Sequence, residues 1–271
     1  MSSAQHQPLS LVARHALVDL LTAVGLARDT QVALLRADRV TMAGRPIRNP
    51  LTQVDLLAQE VCIDGRPLDG VLACRYLLLF KPYRVLCAFS DPEGRPTLAD
   101  YVPIPGVYAV GRLDYDSEGL VLLTDDGWLN HRLAHPDYEH PKSYLAQVER
   151  MPDVEALQML GQGVVVKGQR TLPAEVTLLQ RAPDLPERSM PVRYRANVPT
   201  AWLRIVLREG KKCQVRHMTA AVGHPTLRLV RVAIGPLHLG GLQPGEWREL
   251  SSQELLSLRA LLRTGAKRGG R

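Results

Sequence analysis

Between Gly111 and Gly127 the chain concentrates five carboxylates, Asp114, Asp116, Glu118, Asp125 and Asp126, against one cation, Arg112. The chain as a whole is basic, with a formal net charge of +7 at pH 7 and a pI near 9.4, which favours a polyanionic partner such as nucleic acid over other ligands. A carboxylate facing a phosphate backbone is repelled, so these acids either turn away from such a ligand or take part in chemistry. Their spacing also fits a calcium loop, since Asp114, Asp116, Glu118, Gly119 and Asp125 occupy positions 1, 3, 5, 6 and 12 of an EF-hand register. The flanks reject it. An EF-hand loop is entered from a helix, whereas Val102-Pro103-Ile104-Pro105-Gly106-Val107 precedes this one and Gly119-Leu120-Val121-Leu122-Leu123 reads as a strand.

The electrostatic complement lies further on, where Arg204, Arg208, Lys211, Lys212, Arg216, Arg228 and Arg231 face a single acid, Glu209. Such a run is either a solvated strand and helix face or a phosphate site. Gly210-Lys211-Lys212 precedes a helix predicted from Gln214, so ammonium groups and helix N-terminal amides could converge on a phosphate. The four cysteines, Cys62, Cys74, Cys87 and Cys213, form no CxxC pair and have no histidines at zinc-ligand spacing, so they read as reduced and structural, with no metal expected.

These residues need a scaffold, and 271 residues with 45% hydrophobic content are enough for a small unit and a larger one. Leu17, Leu20, Leu21 and Val24 fall at helical spacing and predict a helix from about Leu9 to Leu26, followed by a second over Thr30 to Ala37. Strands follow at Arg39-Val40-Thr41-Met42 and Val61-Cys62-Ile63. After Gly70 short strands recur: Tyr76 to Phe80, Gly119 to Leu123, Ser143 to Val148, Val164 to Val166, Ala174 to Leu179, Trp202 to Leu207 and Thr226 to Ala233. Several connections are too short for a crossover helix, so the sheet is expected to be mostly antiparallel. Helices are predicted over Leu129 to Ala134, Pro152 to Leu160, Gln214 to Ala221 and from Ser252, the last opened by a Ser251/Glu254 capping box. The division is 1–70, 71–262 and a basic disordered tail at 263–271. No apolar run is long enough to span a bilayer and no signal peptide opens the chain, which points to the cytoplasm and away from membranes.

Five ordered motifs resemble the pseudouridine synthase family that modifies ribosomal RNA. They are Lys81-Pro82-Tyr83, Gly111-Arg112-Leu113-Asp114 with Ser117-Glu118-Gly119-Leu120, Pro141-Lys142-Ser143-Tyr144, and Gln214-Val215-Arg216-His217-Met218. Within the family the likeness is greatest to the branch acting on large-subunit ribosomal RNA, through segments such as Val198-Pro199-Thr200-Ala201-Trp202 and Gly223-His224-Pro225-Thr226. The front of the chain resembles an S4-type RNA-binding domain, a module that branch usually lacks, through Ala27-Arg28-Asp29, Leu34 to Val40 and Val61 to Leu68. Members often carry Gly where Asp38 stands and Asn where Ala43 stands. Where relatives have an Asn-Arg pair before the Gln-Val-Arg motif, this chain has Lys212-Cys213.

The resemblance implies an α+β fold, with a mostly antiparallel mixed sheet in the catalytic domain and a small α+β unit before it. It implies a cofactor-free isomerase that acts as a monomer on ribosomal RNA, most closely 23S, and turns one flipped uridine into pseudouridine. Asp114 would be the catalytic carboxylate, Arg216 the guanidinium that pairs with it, and Tyr144 the ring under the uracil. Arg112 would fill the gap left by the flipped nucleotide, offsetting part of its unstacking cost. Lys81, Lys211 and Lys212 would contact phosphates, and Arg28 and Arg39 would serve the S4-like unit. A transfer RNA or small-subunit RNA substrate, or a non-catalytic assembly factor on the same scaffold, are the competing readings.

Overall fold

The computed structural model describes residues 9–10, 13–56, 58–68, 74–192 and 198–264. The front of the chain forms β1 (His15–Ala16), α1 (Leu17–Ala23), α2 (Arg28–Arg36), β2 (Val40–Met42), β3 (Arg45–Pro46), β4 (Gln53–Val54), β5 (Val61–Ile63) and β6 (Arg66–Pro67). Leu17, Leu20, Leu21, Leu34, Leu35, Val40, Val54 and Val61 bury one another in a cluster of their own. The first helix starts at Leu17 rather than near Leu9, because His15 and Ala16 pair with Val54 and Gln53, and the Leu17 and Val18 amides donate to the Thr52 and Pro50 carbonyls. Asp38 and Ala43 both have positive φ, 58° and 49°, the left-handed region that suits Gly and Asn.

The larger unit contains β7 (Tyr76–Lys81), β8 (Tyr108–Ala109), β9 (Glu118–Thr124), α3 (Gly127–Ala134), β10 (Lys142–Glu149), α4 (Val154–Gln162), β11 (Val165–Val166), β12 (Gln169–Arg170) and β13 (Glu175–Leu179). It continues with β14 (Thr200–Leu207), α5 (Gln214–Ala221), β15 (Thr226–Ile234), β16 (Leu237–His238), β17 (Trp247–Glu249) and α6 (Ser252–Thr264). Its main sheet runs β13-β14-β10-β15-β9-β7-β17, with β16 on β15 and β8 on β9. All of its ladders are antiparallel except β15 on β9. The mostly antiparallel mixed sheet expected from the sequence is therefore present. The predicted tail lies, from residue 265, outside the described residues, and α6 runs on to Thr264.

β7 and β9 are buried along their whole length, and apolar through their middles, because both faces of the sheet are covered. Leu77, Leu79, Val121 and Leu123 face one core with Leu160 of α4 and Val215 and Met218 of α5. Tyr76, Leu78, Phe80, Leu120 and Leu122 face the other with Leu129 and Leu133 of α3 and Leu255, Leu258 and Leu262 of α6. The predicted capping box forms: the Glu254 amide donates to Ser251 Oγ (3.3 Å) and the Ser251 amide to Glu254 Oε2 (2.8 Å). The buried guanidinium of Arg259 on α6 forms a two-pronged pair with Asp55, which ties the front unit to the larger one.

The one parallel contact has a steric condition. At Gly119 (φ 106°) an added Cβ would stand 2.3 Å from the Arg231 carbonyl oxygen and 2.7 Å from its nitrogen, so β9 and β15 meet there only because residue 119 has no side chain. Gly119→Ala is expected to lower stability by roughly 3 kcal/mol through backbone clash and φ strain. Equilibrium denaturation measures it, and a loss no larger than an ordinary Gly-to-Ala change would contradict this account.

Candidate active site

Each of the five clustered carboxylates has its own destination. Asp126 caps α3 by accepting from the Leu129 amide (2.9 Å) and also accepts from the Tyr76 hydroxyl (2.7 Å). Asp125 accepts from the Arg75 amide (2.7 Å). Glu118 is buried and clasped by Arg228, Nε to Oε1 at 3.1 Å and Nη2 to Oε2 at 2.9 Å. Asp116 stands exposed. That leaves Asp114, half-buried, as the carboxylate of this cluster that enters a cleft of about 250 Å³.

The loop carrying Asp114 is held at three points. The Ser117 amide donates to the Asp114 carbonyl (3.0 Å), the Arg84 amide to that of Tyr115 (3.0 Å), and Arg216 Nη2 to that of Asp116 (2.6 Å). The facing wall is the turn between β14 and α5. Glu209, almost fully buried, organises it by accepting from the Leu172 amide (2.8 Å) and Gln214 Nε2 (2.5 Å) and by forming an ion pair with Lys211 Nζ (3.4 Å). Cys213 sits at the end of this turn in a left-handed conformation. Burial, and then the negative charge of Asp114, push its thiol pKa up. The floor is made by Lys142 and Tyr144 of β10 and Arg231 of β15, and His135 and His140 close the third side. Tyr144 and Arg231 are cross-strand partners beside an irregularity in the ladder at Ser143/Tyr144.

The cleft is strongly positive: Arg112, Lys142, Arg208, Lys211, Lys212 and Arg231 line it with two acids, Asp114 and Glu209. Lys142 is pushed down to about 8 by burial and then by the charge of Arg231. His140 is lowered by burial and by the charge of Lys142, which favours its neutral form.

Of the residues singled out from the sequence, Asp114, Tyr144, Arg112, Lys211 and Lys212 come together here, with Arg112, Lys211 and Lys212 exposed at the rim. Arg216 does not pair with Asp114. Its guanidinium donates to the backbone carbonyls of Asp116 and Thr226, and among the described residues no ion pair joins it to Asp114. Lys81 is no phosphate contact. It is fully buried at the inner end of β7, where Nζ donates to the Pro82 (2.9 Å) and Val85 (2.7 Å) carbonyls, and burial lowers its pKa to about 8. Arg28 stands exposed on α2, and Arg39 is bound two-pronged to Asp64 at 2.6 and 2.5 Å. Both belong to the front unit rather than the cleft. Sequence reasoning did not single out His140, and named Arg231 only within the basic run and Lys142 only within a motif, giving neither a place in the site. The available signal was a charged residue inside the otherwise apolar strand Leu229-Val230-Arg231-Val232-Ala233.

The family model described as RNA pseudouridylate synthase matches residues 75–221, more than half of the chain. The chain is 56% identical over 174 residues to ribosomal large subunit pseudouridine synthase E of Xanthomonas campestris pv. campestris, covering 64% of this chain and 93% of that one. It is 36% identical over 242 residues to an RNA pseudouridine synthase of Aquifex aeolicus, covering 88% of this chain and 91% of that one. The fold matches a crystal structure of a pseudouridylate synthase with a TM-score of 0.59 and 26% identity, over 89% of this chain and 98% of that one.

The buried lysine at position 81 sets a pH dependence of stability. Its folded-state pKa, about 8, lies below the ordinary 10.5, so between these values the unfolded chain binds more protons. Below about pH 8 both states are protonated and the burial cost is constant; as pH rises towards 10.5 the cost is relieved. Wild type is therefore expected to gain on the order of 2 kcal/mol relative to Lys81→Met between pH 7.5 and 10.5. Urea denaturation of both proteins across that range tests this, and a constant gap would refute it.

Proposed function

The chain belongs to the RNA pseudouridylate synthase family, and we propose that it converts one uridine of ribosomal RNA, in the large subunit, to pseudouridine with Asp114 as the catalytic carboxylate. The observation that carries this reading is the isolation of Asp114: alone of its cluster it enters a cleft whose floor holds Tyr144 and whose rim is cationic. The reaction breaks the bond from N1 to C1′, turns the uracil and rejoins it through C5, and it needs no outside reactant. Asp114 serves either by attacking C1′ or by removing a proton from C2′, and both roles need a carboxylate held close to the ribose.

Tyr144 is suited to stack on the base, since its ring is buried against the apolar core and borders the cleft. Arg112, exposed two residues before Asp114 and lining the cleft, is placed to fill the gap that the flipped nucleotide leaves in the RNA stack. Arg216 acts as a positioning residue through the Asp116 carbonyl rather than as the carboxylate's ion-pair partner. Lys211 and Lys212 contact phosphates, Lys212 with the freer ammonium because Lys211 is shared with Glu209 and the Arg170 carbonyl. In the front unit, proposed to bind RNA as an S4-type domain over residues 1–70, Arg28 is the better placed cation because Asp64 already neutralises Arg39. The large-subunit assignment rests on the name of the Xanthomonas relative. Four free cysteines suit a reducing compartment, and the reading assigns a monomeric enzyme in the cytoplasm. Among the described residues no helix is long and apolar enough to cross a membrane.

Wild type and Asp114→Asn, expressed in cells lacking the endogenous activity, are to be compared by mapping pseudouridine across ribosomal RNA. The expected result is one site present with wild type and reduced more than about 100-fold with the variant. A site retained in full would reject Asp114, and no site with either protein would favour a non-catalytic assembly factor. For the front unit, Arg28→Ala is expected to weaken RNA binding and reduce the slope of log affinity against log salt by about 1. An unchanged slope would exclude Arg28 from the RNA contact.

A further inference from the structure

Six side-chain atoms are buried without a hydrogen-bond partner among the described residues, and three of them line the one cleft that holds Asp114: Ser117 Oγ, His140 Nε2 and Arg231 Nη2. Their residues are 1%, 3% and 2% exposed. Buried polar groups are nearly always satisfied, so three orphans converging on one cavity point to a ligand that completes them. Arg231 is the most demanding of the three. Its Nε donates to the Leu120 carbonyl (2.8 Å), which aims the fork, while Nη2 is left unpartnered. Lys142 lies beside it on the floor and donates to the His140 carbonyl (3.2 Å). Among the described residues no carboxylate forms an ion pair with either cation, although Arg228, three residues earlier on β15, has Glu118. Buried Arg231 and half-buried Lys142, neighbours without a counter-ion, repel each other, and an anion between them would relieve both.

Resting on the proposal that a flipped uridine enters this cleft, we infer that Arg231, assisted by Lys142, receives the negative charge that develops on the departing uracil. When the C1′–N1 bond breaks, its electron pair leaves with the base, and the charge spreads onto O2 and O4. Asp114 meanwhile bonds to C1′ or takes the C2′ proton. When the turned base rejoins C1′ through C5, either the Asp114–C1′ bond breaks with its electron pair returning to the carboxylate or Asp114 gives its proton back to C2′; the C5 proton is then released and N1 gains one, so nothing is oxidised or reduced. Uracil presents two acceptor oxygens flanking the N3–H donor. Arg231 and Lys142 match the oxygens, and neutral His140 Nε2 or Ser117 Oγ can accept from N3–H. A backbone phosphate fits the floor less well, because exposed Arg112, Lys211 and Lys212 already meet the strand at the rim and Arg231 lies below them beside Tyr144. Donors fixed where charge appears in the transition state lower the barrier more than they tighten binding.

The test uses the full chain in single-turnover reactions on a structured ribosomal RNA fragment, with either uridine or 5-fluorouridine at the target. Fluorine withdraws electrons and makes the base a better leaving group, so it should substitute in part for Arg231. Consumption of the target nucleoside is followed after nuclease digestion. Arg231→Gln is expected to slow uridine consumption by about 100-fold or more, leave RNA affinity within about 3-fold, and slow 5-fluorouridine consumption at least tenfold less. Lys142→Met should show the same base-dependent pattern in weaker form, and it decides the matter if Arg231→Gln fails to fold. Equal losses on both bases would overturn the inference in favour of a structural role, and a loss confined to affinity would indicate a phosphate contact. Unimpaired turnover in both variants would overturn it alone, whereas a wild type inactive on every RNA would also remove the reading on which it rests.

Discussion

The close approach of Gly119 to the Arg231 main chain is the constraint on which the site depends. It is the single parallel contact in an otherwise antiparallel sheet, and it joins the strand that follows the Asp114 loop to the strand that carries the floor cation. A side chain at position 119 would push these strands apart, because the obstruction is backbone rather than a movable side-chain end. Glu118 and Arg228 clasp the same junction from within, a buried pair whose geometry is two-pronged and whose guanidinium also donates to the Pro186 carbonyl (2.8 Å). Such a pair adds little net stability after desolvation, but it tolerates few other arrangements of the two strands.

Three buried cations in the catalytic unit show how one residue class can meet different fates. Lys81 gives its charge to two carbonyls and shapes the turn after β7. Arg228 gives its charge to Glu118. Arg231 keeps an unpartnered nitrogen at the cleft. Structural cations are satisfied internally because burial would otherwise cost too much, and the one that is not satisfied stands where a substrate can complete it.

The front unit shows a related economy of charge on its surface. Arg39 and Arg48 are bound by Asp64 and Asp38, so part of its positive charge is neutralised within the unit itself. Asp38 and Ala43 occupy left-handed positions in tight turns, where Gly and Asn would carry the least strain. The buried Asp55–Arg259 pair makes this unit part of the packing of α6 rather than an appendage.

The sequence by itself determined the longer elements and the motif that carries Asp114. Apolar runs and turn residues placed nine of the seventeen described strands, including every one of five residues or more, the capping box placed the start of α6, and the Gly111 to Leu120 motif singled out Asp114. These features are local: propensity, capping and motif spacing act within a few residues. Tertiary structure alone decided which charges face the cleft. Lys81 and Arg231 both lie in or at the end of apolar strands, and nothing in their neighbours separates a cation capped by carbonyls from one left open. Arg216 likewise reads as a partner for Asp114 until the fold gives its guanidinium to the Asp116 and Thr226 carbonyls. The physical reason is the range of the interactions. Arg228 and Arg231 find their partners on a strand 110 and 111 residues away, and even Lys81, bonded to carbonyls of the next turn, is buried only when the sheet closes over it.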